Sequence, residues 1–378
     1  MTKYRIICCT ILMVALVTCT GIRDAAAALP PAYRVTDLGT LGGNYSNGTG
    51  INASGQVTGN SNTSGGENHA FLYDGTMHDL GTLGGTHSGG WAGINDSGQV
   101  TGYSSSISNS HAFLYDGTMH DLGTLGGAES DGRGINNSGH VTGGSGLTGN
   151  AIWHAFLYDG AMHDLGTLGG TLSGGWGIND SGQVTGHSYT TGDDHTSTRA
   201  FLWTPTTPNG ASGTMVDLGT LGGTSSEGFG INVSGHVTGS SYTAGNAQHA
   251  FLYDGTMHDL GTLGGTVSTG QGINDSGQVT GWSYTNSGDR HAFVYAEGSG
   301  MVDLNSLIDP LSGWDLILGW AINDAGQITG YGLIAGQPRA FLLTPVPEPA
   351  SVALLALGLP LFVGRSSRRL RTDQRLFY

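Results

Sequence analysis

The feature that most constrains this chain is its internal repetition. Residues 69–85, HAFLYDGTMHDLGTLGG, return unchanged at 111–127 and 249–265, and with one substitution at 154–170. Three marks each occur seven times: DLG at Asp37, Asp79, Asp121, Asp164, Asp217, Asp259 and, as DLN, Asp303; GIN or AIN at Ile51, Ile94, Ile135, Ile178, Ile231, Ile273 and Ile322; and HAF or RAF at Phe71, Phe113, Phe156, Phe201, Phe251, Phe293 and Phe341. Successive isoleucines are 41 to 53 residues apart. That period belongs to propeller blades and is too long for the short coils of a β-helix. A repeat of this kind is a supersecondary unit that buries its faces only against copies of itself, so repetition speaks first of architecture.

Turn chemistry divides each unit into four strands. GIN is followed by a polar, glycine-containing loop (NDSG, NASG) and then QVTG, the pattern of a hairpin. A variable polar loop leads to HAFLY, then Asp-Gly, the strongest two-residue hairpin signal, then TMHDLGTL. The array, residues 33–345, enters on YRVTDLGTLGG, a fourth-strand sequence with no partners before it. It leaves on RAFLLTP, a third strand with no successor. A ring in which the N-terminal strand completes the last unit removes both orphan edges. An open solenoid would need capping repeats, and the sequence has none. The expected fold is all-β: a seven-bladed β-propeller of four-stranded antiparallel blades.

The ends carry sorting information. Lys3 and Arg5 precede an apolar run and a small-residue cleavage site near Ala27 or Ala28, so residues 1–28 read as a secretory signal peptide. All three cysteines (Cys8, Cys9, Cys19) fall inside it, so the exported chain has no disulfide framework. Cys19 as a lipoprotein cysteine is disfavoured by Thr18 before it. Residues 346–378 combine Pro347, Glu348 and Pro349 with an apolar run from Val352 to Val363 and five arginines. The run is short for a bilayer span, which takes roughly twenty residues. The basic tail orients such a segment with its arginines in the cytoplasm. An ordinary membrane anchor is the alternative.

These motifs carry two resemblances. The C-terminal order of Pro-Glu-Pro, apolar segment and arginines resembles the PEP-CTERM sorting signal of Gram-negative bacteria. The copies of HAF, DLGTLGG and GIN..G.V.G resemble the HAF-family extracellular repeat over 313 of 378 residues. The first resemblance implies transient membrane contact, cleavage by an exosortase-type enzyme, and delivery to the cell surface or extracellular matrix. The second implies a secreted bacterial protein of ill-defined role. Arg199 and Arg339 replace the histidine of HAF, so that side chain is not an obligatory ligand.

Charge narrows the partners. Residues 29–345 hold 25 acidic residues against five arginines, a net charge of about −20. Phosphate backbones are bound by basic side chains, so nucleic acid is excluded as a partner. Neutral polysaccharide, cationic groups, bridging divalent ions or other surface proteins remain. Loops that vary on a constant scaffold are the expected binding face, and Trp91, Trp176, Trp320 and Phe229 precede the IN strand beside them. Aromatic planes among Ser, Thr and Asn suit sugar stacking; packing between blades is the alternative role for these rings. The repeated Asp of DLG is expected to hold a turn, and the MHD histidines to be solvated or hydrogen-bonded. Asp193, Asp194 and His195 lack the oxygen-rich spacing of a calcium loop, so no metal or other cofactor is expected. With no unique acidic pair along the first strands, the expected role is non-enzymatic binding. A secreted glycoside hydrolase or lyase on the same scaffold is the alternative.

Overall fold

The computed structural model describes residues 32–106, 109–149, 152–191 and 197–347. Among them the chain is all-β apart from one 3-10 turn at Leu304–Leu307. In the first complete unit, Gly42–Ile51, Val57–Thr63, Asn68–Tyr73 and Met77–Asp79 pair consecutively and antiparallel. The same meander recurs along the chain. Five of the resulting sheets have four strands, and one larger sheet joins two meanders through the single parallel pair Gln248–Val267.

The two orphan strands meet. Tyr33–Asp37 pairs antiparallel with Gln337–Pro345, placing Asp37 opposite Phe341, the register in which Asp79 faces Phe71 within the first unit. Arg339 Nη1 donates to the carbonyl of Asn44, and the amide of Ala340 donates to Ser46 Oγ, so the last unit is tied to the first.

Apolar packing lies between units rather than within them. Ala70 and Leu80 of one meander pack on Val100 and Phe113 of the next. Leu38, Val57, Phe71 and Ala340 form the equivalent cluster across the chain ends. All seven HAF or RAF phenylalanines are fully buried. The glycine of QVTG is needed for close approach: a Cβ on Gly59 would run into the backbone carbonyl of Asn47 on the neighbouring strand.

Two elements differ from their sequence reading. In four units the fourth strand is only MHD, three residues, and it ends at the aspartate because, as in the first, Asp79 Oδ1 accepts from the amide of Gly81 at 2.8 Å and Gly81 turns the chain at φ 75°. Leu-Gly-Thr-Leu then leaves the sheet as the crossover, and a short outer strand offers little edge for pairing. The first strand, conversely, starts at the Gly-Gly and runs ten residues to Ile51 with two register shifts.

The DLG aspartates do hold turns, and five of them also bind the HAF histidine, as in His69 Nδ1 to Asp79 at 2.8 Å. Where Arg199 replaces the histidine, its guanidinium lies 3.7 Å from Asp217. The MHD histidines hydrogen-bond within their own hairpins, His78 to Asp74 at 2.9 Å. Pro347 is exposed. Glu348, Pro349, the apolar run at 352–363, the signal peptide, and Asp193, Asp194 and His195 lie outside the described residues. Among the described residues no helix is long and apolar enough to cross a membrane.

Candidate functional site

Residues from the first strands of all seven units line one shared cavity. Their isoleucines, Ile51 through Ile322, form a collar shared by a cavity on either side. The next residue is always Asn, and its geometry explains the repetition of GIN. Asn52 Nδ2 donates to the carbonyl of Asn95 at 3.1 Å, and the relay continues through Asn136, Asn179, Asn232, Asn274 and Asn323. It returns to the carbonyl of Asn52 at 2.9 Å. Each Asn Oδ1 also accepts from an amide of its own turn, as from Gln56 at 2.9 Å, so the buried amides are satisfied on both sides. On this side of the collar Asp96, Asp180, Asp275 and Asp324 line the mouth. Burial, with Asp324 and Asp180 nearby, pushes the Asp275 carboxyl up.

On the other side the cavity is lined by the variable residue of G-x-G-I-N: Thr49, Arg133, Trp176, Phe229, Gln271 and, in GWAIN, Trp320. It holds about 210 Å³. Trp91 joins them because its unit carries one extra residue. The register shifts between the pairs Gly89–Tyr103 and Gly93–Thr101, where Gly89 and Gly90 take φ 139° and 92°, and Trp91 in this bulge is 44% exposed.

The four aromatic residues singled out in the sequence therefore do share a site, at the axis. Trp91 meets Trp176 edge-on at 5.2 Å, and Trp176 meets Phe229 at 5.3 Å. Trp320 lines the same cavity, its Nε1 buried without a partner.

Sequence reasoning passed over five side chains here: Arg133 lines the cavity, and Asp131, His187, Glu227 and Thr269 sit on the strands beside it. Arg133 lies over Trp176 at 4.1 Å and over Trp91 at 5.8 Å, and its Nε is 2.8 Å from Asp131. Trp176 Nε1 donates to His187 Nδ1 at 3.2 Å; an indole can only donate, so that nitrogen is unprotonated. Burial first, and Arg133 second, depress the His187 pKa to about 4, which keeps the ring neutral. Glu227 occupies the position that is Asp131 in its own unit, Asn47 in the first and Gly174 in the fourth. Burial raises its pKa, with Arg133 opposing. Thr269, also at this position, is 4% exposed with Oγ1 unpartnered. The signal for Asp131, Glu227 and Thr269 is the residue two before x in G-x-G-I-N, which differs from unit to unit; Arg133 is x itself, and His187 lies on the second strand.

No family model and no curated protein matches the chain. Solved structures do. A puromycin-hydrolysing peptidase from Mycobacterium tuberculosis matches 86% of this chain at 10% identity with a TM-score of 0.55. An acylaminoacyl peptidase from Pyrococcus horikoshii matches 82% at 9% identity, TM-score 0.47, and the Aleuria aurantia lectin in complex with Fucα1-6GlcNAc matches 72% at 11% identity, TM-score 0.36. The chain covers 55% of the first, 54% of the second and 94% of the lectin. The first likeness shows a shared fold; the other two superpose too loosely to support an argument.

The expectation that the protein is not an enzyme is corrected here. The fold is shared with a peptidase, so the scaffold is compatible with catalysis. The premise also fails, because Asp131 and Glu227 are acidic departures from the repeat on first strands facing the axis. At 10% identity, and with this chain spanning about half the peptidase's length, the likeness gives no reaction to this chain.

Proposed function

We propose that this chain is an exported HAF-type repeat protein folded as a closed seven-bladed β-propeller, whose axial well binds neutral polysaccharide at the cell surface or in the matrix. The asparagine relay that returns to its start, and the pairing of the first strand with the last unit, support the closed ring. Export and trimming by an exosortase-type enzyme rest on the two terminal segments.

The observation that carries the binding role is the aromatic arc of Trp91, Trp176 and Phe229, with Trp320 in the same cavity carrying an indole N–H that has no partner. Apolar planes beside unsatisfied donors suit the faces and hydroxyls of a sugar. Acidic surroundings disfavour anionic glycans. Each stacked ring contributes on the order of 1 kcal/mol, so affinity rests on several acting together.

The test is a glycan array probed with the full-length chain, including polysaccharide from the producing strain, against a variant with Trp91, Trp176 and Trp320 all changed to Ala. Binding by the wild type that the folded variant loses is expected. No binding, or equal binding, would sink the reading. A second reading, cleavage of the bound glycan, is favoured by Glu227 in the cleft adjoining the well, whose carboxyl burial pushes above the ordinary range, as a general acid requires. New reducing ends in the same incubations would identify it.

A further inference from the structure

Beside the axial well, between the fifth and sixth units, lies a cleft of about 450 Å³ that shares Phe229 and Gln271 with it as common wall. Its lining includes Glu227, Thr269, Ser240 and Trp282. Trp282 carries Arg290 over its ring at 4.1 Å, which fixes the ring in place. The constant positions of the repeat do not build this cleft. Where the sixth unit has Thr269 and Trp282 paired across its first two strands, the first has Asn47 and Asn60, and the fourth has Gly174 and His187.

Two observations point to a ligand. Thr269 Oγ1 is buried with no partner, an arrangement that costs free energy unless something occupies the cleft. The Glu227 carboxylate, also largely withdrawn from water, has no hydrogen-bond or ion-pair partner among the described residues, in contrast to Asp131, which Arg133 neutralises. The chemistry of the lining selects among ligands. An ammonium group would pair with Glu227, but it only donates, so the N–H groups of Gln271 and the hydroxyl hydrogens of Ser240 and Thr269 would find no acceptor in it. A phosphate or carboxylate only accepts and would meet Glu227 head-on. A sugar hydroxyl both donates and accepts, and two vicinal hydroxyls span the two oxygens of a carboxylate.

We infer that this cleft is a second sugar subsite, in which Glu227 accepts hydrogen bonds from a vicinal diol and Thr269 bonds a third hydroxyl, contiguous with the axial well through Phe229 and Gln271. It rests on the polysaccharide reading above and adds to it a prediction about chain length. A single sugar fills one site; a neutral oligosaccharide of two or more residues reaches both, and the second contact is made at high effective concentration.

The experiment is calorimetric titration of the full-length chain with ladders of neutral glucan, mannan and galactan oligosaccharides from one to six residues. The wild type is expected to bind oligomers at least tenfold tighter than the matching monosaccharide. Glu227→Gln and, separately, Thr269→Val should bind the monosaccharide as the wild type does and lose most of that gain, with the unfolding midpoint and near-ultraviolet dichroism showing that each is folded. If both folded variants keep the full length dependence, the cleft is not a subsite and the axial reading stands. If affinity does not rise from one residue to two in the wild type, the inference is likewise overturned. If the wild type binds no member of any ladder, the polysaccharide reading falls and the subsite with it.

Discussion

Replacing Leu38 by Ala tests whether the ring is closed, because an interior copy of the same site supplies its control. Leu38 is 4% exposed, packed with Val57, Phe71 and Ala340, and its amide donates to the carbonyl of Ala340 at 3.1 Å. Leu80 is 7% exposed, packed with Ala70, Val100 and Phe113, and its amide donates to Ala70 at 3.0 Å. The environments match, yet Leu80 contacts neighbours close in sequence while Ala340 lies at the far end of the chain. Truncating a buried leucine removes its transfer free energy and leaves a cavity, about 3 kcal/mol in a close-packed site. In a closed ring Leu38→Ala and Leu80→Ala should therefore lower stability equally, by about 3 kcal/mol each, in one cooperative transition with an unchanged urea slope. In an open array the N-terminal strand frays before the rest unfolds, and Leu38→Ala leaves the main midpoint where it was. Urea denaturation followed by tryptophan fluorescence and far-ultraviolet dichroism separates the cases. A midpoint for Leu38→Ala at the wild-type value beside a clear loss for Leu80→Ala would refute closure.

Three further outcomes are expected. His187 has a folded pKa of about 4 against an ordinary 6.5, so between those values the unfolded chain takes up a proton that the folded chain refuses. Stability should decline as pH falls through that window, by at most about 3 kcal/mol, and His187→Gln, which keeps an acceptor for Trp176, should lose less over the same range; parallel declines would contradict the assignment. Asp259→Ala, which removes the bonds to His249 and to the amide of Gly261, should cost about 1–2 kcal/mol, whereas Asp254→Ala, which breaks the exposed pair with His258 and two longer bonds from Thr256 at 3.3 Å, should cost less than half as much. Mass spectrometry of the protein recovered from the producing bacterium should find it outside the inner membrane, starting after Ala27 or Ala28 and lacking the arginine tail. An intact C-terminus at Tyr378 in the inner membrane would restore the ordinary anchor.

Most of the fold was legible because the chain states it seven times. The Asp-Gly turn, the apolar HAF strand and the unmatched ends each specify local pairing, and the observed register of Asp37 opposite Phe341 is the one the repeat implies. What misled was extent: DLGTLGG reads as strand, but an aspartate cap and a glycine at positive φ end the strand at Asp79. The site was half legible. Trp91, Trp176, Phe229 and Trp320 stand out as large rings in a polar chain. Their convergence, however, depends on seven first strands facing a single axis, which no spacing within one unit reveals.

The sequence by itself determined the repeating unit, its four-strand plan and the acidic charge of the array, since all of these are local or additive properties. Only the tertiary structure decided why GIN is repeated and which departures from the repeat matter. The asparagine relay exists only between units, each amide reaching a carbonyl more than forty residues away. Likewise Arg133, His187, Glu227 and Thr269 look like scatter along the chain until the packing of neighbouring units brings their strands around shared cavities, where burial withdraws the solvent that would otherwise have satisfied them.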